Sequence, residues 1–264
     1  MPRLTAVVFA GCIVIGVGVA VGRAADSGAN ALVARMDQLW LHRDAQDAMP
    51  DSVSLATRVL DIDATNYEAQ WRLARAYFWV ADAQSSRVTK KAVAVKAVEW
   101  AERARNQRAD RVEGHYFYAI AMGEYASTIG VMQAVMDGVA GKIESSAVRA
   151  HEIDRDFEHG GPGTVLGRYY FLLPWPKRDL ARSRRYLEEV VARHPHKLIA
   201  RDYLAETYYE LGERDKAREQ LAFVLVSDVA PGSELDQPPP KPLAQDAMQR
   251  WFPDAAVAAG QPGG

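Results

Sequence analysis

The stretch from residue 198 to residue 225 constrains this chain more than any other. Leu204 and Ala205, a large apolar residue followed by a small one, precede Tyr208, a turn glycine at 212, and then Ala217, Leu221 and Val224. These spacings place the apolar and small residues on one face of each of two helices joined by a tight turn. Small residues let the second helix lie close against the first, while the larger ones fill the gap to whatever comes next. One such hairpin cannot hide its apolar face alone, so the pattern calls for neighbours of the same kind.

Neighbours are present. Leu73, Ala74 and Tyr77 repeat the first-helix pattern, with Ala97, Ala101 and Ala104 on a second helix; Leu166, Gly167 and Tyr170 repeat it again, followed by Ser183, Leu187, Val190 and Pro195. Two weaker units add Tyr118, Ala119 and Met122 with Ile143, Ala147 and Ala150, and an opening pair with Leu39, Ala56 and Val59. The unit resembles the tetratricopeptide repeat (TPR). No stretch alternates with the period of a strand. The expected fold is therefore all-α: a TPR-like α-solenoid of about five helical hairpins over residues 31–228.

The ends differ from this body. Arg3 and the apolar run Leu4 to Val21, with small residues at 22, 24 and 25, read as a secretory signal over residues 1–25, or as an uncleaved anchor. Cys12 is the only cysteine, so neither a disulfide nor a cysteine metal cluster can support the fold, and the apolar run continues past it, which argues against a lipid anchor there. Residues 229–242 carry three consecutive prolines and predict an extended linker; residues 243–252 predict a short capping helix; residues 253–264 predict a disordered tail.

Charge excludes one class of partner. The net charge is −2 and the 32 Lys and Arg residues are spread along the chain rather than gathered in a stripe, so no nucleic-acid partner is expected. Six histidines include no pair at i, i+4 with an intervening glutamate, so neither a metal nor another cofactor is expected. Gly160-Gly161-Pro162-Gly163 lacks the lysine and the preceding strand of a phosphate loop and reads as a flexible entry to a helix. With no nucleophile and fixed base in reach of each other, no enzymatic activity is expected.

Between Tyr170 and Ser183 the chain inserts residues Leu172 to Lys177, with Leu-Pro-Trp-Pro at their centre. The prolines make a stiff elbow, and Asp179 is placed to cap the helix that follows. Trp175 then has two readings: folded back over the neighbouring hairpin, as large aromatics usually are, or held out as a contact for a partner. The elbow, the Gly-Gly-Pro stretch before it, "NYEAQWRLARAYFW", "VEGHYFYAIAMGEYA" and "LAETYYELGERDKAREQL" together resemble the T component of tripartite ATP-independent periplasmic (TRAP) transporters, the TatT proteins. The resemblance implies a non-catalytic periplasmic or envelope protein contacting a solute-binding protein, with an apolar ligand channel and self-association as further family properties. Eukaryotic regulators of microtubule dynamics share a similar repeat core, so the marks identify a repeat lineage. The alternative reading is a scaffold that holds a peptide of an envelope partner.

In a TPR array the first helices line the concave face. By that register the candidate groove is Trp71, Arg75, Phe78, Trp79, Tyr116, Ile120, Arg168, Phe171 and Tyr209, suited to an extended peptide or an apolar carboxylate. Met132 and Met136 lie nearby, and core packing is their simpler expectation.

Overall fold

The computed structural model describes residues 15–228 and 240–253, with side chains from residue 28 onward. Among the described residues there are twelve helices and no strand: α1 (Ile15–Leu41), α2 (Ala48–Ile62), α3 (Tyr67–Asp82), α4 (Arg87–Gln107), α5 (Val112–Ile129), α6 (Val131–Met136), α7 (Val139–Ile153), α8 (Phe157–Leu172), α9 (Leu180–Arg193), α10 (Leu198–Glu210), α11 (Arg214–Val226) and α12 (Pro240–Trp251). They pack as five hairpins, α1 with α2, α3 with α4, α5 with α7, α8 with α9 and α10 with α11, each set against the next, and α12 closes the last. The short α6 is an insert on the turn of the third hairpin. This is the all-α TPR-like solenoid that the repeat predicts.

Close approach explains the hairpin geometry. α4 presents Ala94, Ala97, Ala101 and Ala104, all fully buried, in one stripe. Gly114 of α5 lies so near that a Cβ there would stand 2.5 Å from the backbone N of Arg105. Gly167 does the same in the fourth hairpin, where a Cβ would meet Leu187 Cγ at 2.4 Å. Wherever the pattern asks for a small residue, a helix crosses there.

Polar ties recur in register. Tyr170 donates to Glu144 of α7 at 2.6 Å and Tyr208 donates to Glu188 of α9 at 2.7 Å, so the equivalent tyrosine of two successive repeats reaches back to the second helix of the repeat before. Burial and the carboxylate partner push the Tyr170 hydroxyl up to about 12. Asn66 caps α3 and Asp179 caps α9, each accepting from the N–H three residues on, at 3.0 and 2.9 Å. Such caps contribute about 1 kcal/mol each.

Three boundaries differ from expectation. α1 runs without a break from Ile15, across the anticipated leader boundary at residue 25 and the domain start at 31. Met36 and Leu39 on its C-terminal half are buried against α2 and α3. No helix of the described residues is long and apolar enough to cross a membrane. α12 begins at Pro240 rather than 243, because a proline in the first helical turn surrenders no hydrogen bond. The disordered tail, and all but the end of the linker, fall outside the described residues.

Candidate partner-binding groove

The first helices of the array curve around an open cavity of about 500 Å³. Phe78 and Trp79 come from α3, Tyr116 and Ile120 from α5, Thr164 and Arg168 from α8, and Ile199 and Tyr203 from α10. The first helices supply most of the wall, with Trp40 from α1, and α6 and α7 add Val131, Ala134, Ala140 and Ile143. These side chains meet because α8 packs against both α5 and α10.

Of the nine groove residues expected from sequence, five line the cavity: Phe78, Trp79, Tyr116, Ile120 and Arg168. The other four are placed elsewhere. Trp71 is buried, stacked on Phe117 at 5.6 Å, and donates its indole N–H to Glu68 at 3.0 Å. Arg75 is buried between the rings of Trp40 and Trp71 at 4.5 and 4.9 Å and bonded to Asp37 at 2.9 Å. Burial pushes its guanidinium down to about 10, and no fork is left for a ligand carboxylate. Phe171 lies half-buried under Arg168 and Arg178, and Tyr209 stacks on Trp251 of α12 at 4.3 Å. Both rings serve the array.

Trp175 is 89% exposed at the elbow, so it is not folded back over the neighbouring hairpin. The Trp175–Pro176 peptide is cis. Met132 and Met136 are exposed as well, contrary to the core packing expected of them, because α6 is a single outlying turn and a half with only Ala134 buried. Val131 of α6 and Leu172 at the end of α8 are exposed as well and line the cavity, which the two methionines do not.

The floor holds features the sequence register alone did not flag. Glu158, His159 and Gly160 are three consecutive left-handed residues, and Glu158 and His159 line the cavity. The Gly-Gly-Pro stretch is therefore a tight corner rather than a flexible entry: a Cβ at 161 would stand 2.8 Å from the Tyr116 ring, and one at 163 would stand 2.6 Å from Val190. Asp82 and Glu124 also line it, and Lys90 Nζ lies 3.8 Å from the first and 3.0 Å from the second. Burial raises both carboxyls against the pull of that lysine. Tyr203 is pushed up to about 12, first by burial and then by the charges of Glu206, Asp202 and Asp82, against Arg168. Among the described residues no three His, Cys, Asp or Glu side chains are grouped to hold a metal ion.

This architecture defines a class, the TPR-type solenoid. A thermophilic TPR protein of Thermus thermophilus superposes with a TM-score of 0.58 at 17% identity, over 86% of this chain and 99% of that one, a likeness that concerns the fold alone. Residues 32–160 match the family described as regulator of microtubule dynamics protein 1-3. Regulator of microtubule dynamics protein 3 of Bos taurus is 21% identical over 202 residues, 70% of this chain, and the match spans 42% of the relative's length. These findings overturn the expected periplasmic or envelope location: the matching family and the relative are regulators of microtubule dynamics, not parts of an exported uptake system. Of the expected resemblance to TatT proteins, only the TPR-like fold is supported.

Proposed function

We propose that this chain is a non-catalytic interaction scaffold that holds a segment of a protein partner in its concave groove. The observation that carries this reading is an open cavity lined by Phe78, Trp79, Tyr116, Phe117 and Tyr169, with the exposed Val131 and Leu172 among its lining residues. Apolar surface left open in this way marks a face that a partner covers. The name of the bovine relative refers to microtubule dynamics; since the shared part is under half of that protein, the role assigned here is the scaffold's alone.

A smaller occupant is a second reading, favoured by one observation: about 500 Å³ lies within the range of small-molecule pockets. One experiment separates the two. A photo-crosslinking amino acid is placed at Ile120 and the adducts are mapped by mass spectrometry, beside native mass spectrometry of the purified chain. Adducts concentrated on one segment of one protein support the scaffold; a retained small apolar mass with no protein adduct supports the second reading. Adducts scattered over unrelated proteins would sink both.

A further inference from the structure

We propose that the edge formed by the turns inside the three central hairpins docks on the surface of an anionic phospholipid bilayer. Val88, Met136 and Trp175 enter that surface, and Lys91, Lys142 and Lys177 meet its phosphates. The contact lies outside the groove and stands whatever the groove holds.

In a row of antiparallel hairpins, the turns within hairpins share one edge and the turns between hairpins share the other. Printed on the first edge is a chain of contacts that makes it continuous. Trp40 and Trp79, near the ends of α1 and α3, meet edge to face at 5.8 Å. Arg87 at the start of α4 donates to the Thr128 carbonyl near the end of α5. Val135 and Gly138, around the end of α6, share a cleft with Leu173 and Lys177 of the elbow. Arg178 of the elbow pairs with Glu210 at the end of α10 at 3.0 Å.

Apolar exposure is concentrated along this edge. Eight of the eleven exposed large apolar side chains among the described residues lie on it, against Ile62 and Val226 on the other edge. The elbow is not a loose loop: the N–H groups of Lys177 and Arg178 both donate to the Pro174 carbonyl, at 2.9 and 3.2 Å, and that of Asp179 donates to Tyr170 at 3.1 Å. Trp175 stands at the tip of this closed turn, and α6 buries Ala134 alone, which leaves Met132 and Met136 outside.

Charge follows the same line. Each of the three turns sets an exposed lysine beside its apolar tip, and Lys91, Lys142 and Lys177 pair with no carboxylate among the described residues. The acids of these turns are engaged: Asp82 with Lys90 at 3.8 Å, Asp137 with Gln133 at 2.7 Å, and Asp179 as the cap of α9. On the outermost turns the exposed Asp44, Asp47 and Asp215 would be repelled by lipid phosphates, which confines the contact to the middle of the row. The opposite edge is closed by its own ion pairs, Arg108 with Asp110, Arg155 with Glu189 and Arg193 with Asp156.

A protein interface gathers its anchors at the centre of one desolvated patch. Separate apolar tips, each beside a lysine, suit a soft plane instead. Tryptophan is favoured at the boundary between headgroups and hydrocarbon. Lysine stems lie along that boundary while their ammonium groups reach outward, and each lysine near an anionic surface is worth about fivefold in affinity.

The test follows amide exchange in the whole chain mixed with vesicles of phosphatidylcholine alone, or of phosphatidylcholine and phosphatidylserine in equal parts. Exchange over residues 131–138 and 177–179 is expected to slow on the anionic vesicles and not on the neutral ones, with the effect reduced by salt. The lipid concentration giving half of that slowing should rise at least tenfold in the Lys91→Gln, Lys142→Gln, Lys177→Gln variant. The same rise is expected in the Met132→Ser, Met136→Ser, Trp175→Ser variant. Ile62→Ser with Val226→Ser, on the other edge, should change it less than twofold. Unchanged exchange at these turns on anionic vesicles, or slowing that survives both edge variants, overturns the inference. So does a chain that self-associates through Trp175 and leaves the vesicles alone. The groove reading is untouched by any of these results, since none of the six residues replaced on this edge lines the cavity.

Discussion

At the scale of single residues, Asp202 offers the sharpest measurement. Its carboxyl is raised to about 8, first by burial and then by Glu206, from a usual value near 3.8. The folded chain therefore keeps a proton that the unfolded chain gives up as pH rises, so ionisation opposes folding. That penalty is absent below pH ~4, grows between about 4 and 8, and is constant above. Asp202→Asn removes it while keeping the shape. The variant should be more stable than the parent by about 2–4 kcal/mol at pH 7, with the gain falling towards nothing at pH 4. Urea midpoints at the two pH values check this, and a variant weaker at pH 7 would mean that the carboxyl has a donor after all.

Among the elements, α12 acts as a lid on an otherwise open row. Ala244 and Ala247 are buried against Leu198, Ala205, Leu221 and Val224, and Trp251 stacks on Tyr209. A chain ending at Asp228 uncovers that surface, and its melting temperature should fall by about 5–15 °C; a fall of under 2 °C would show that the helix contributes nothing to the last hairpin. The hairpins themselves were legible in the sequence because their signal is local and periodic: Gly167, Ala205 and Ala217 mark crossings that the structure shows to be tight. The groove was half legible. Register gives the side of a helix, which is enough for Phe78, Ile120 and Arg168. It cannot tell that Arg75 is held against Trp40 from α1 and Trp71 against Phe117 from α5, nor that the corner at residues 158 to 160 brings Glu158 into the cavity. Those depend on how one hairpin is turned against another. The recurring pairs Tyr170–Glu144 and Tyr208–Glu188 could have been found as a second repeat laid over the first.

For the molecule as a whole, each hairpin touches little beyond its neighbours, so stability should be distributed along a line. Amide exchange is expected to be slowest in α3, α4 and α5, which are packed on both sides, and fastest in α1, α2 and α12. Uniform protection from one end to the other would contradict a stacked row. Composition served least well at this scale. An apolar run after an early arginine looks alike whether it leads a chain through a membrane or opens the first helix of an array, and the family likeness decided against the periplasm.

Trp175 leaves the molecule with an optical handle of its own. The other five tryptophans, at 40, 71, 79, 100 and 251, are buried or half sheltered, whereas this indole faces water. A soluble quencher such as iodide reaches it before the rest, so whatever covers the elbow announces itself in the emission of the unlabelled chain.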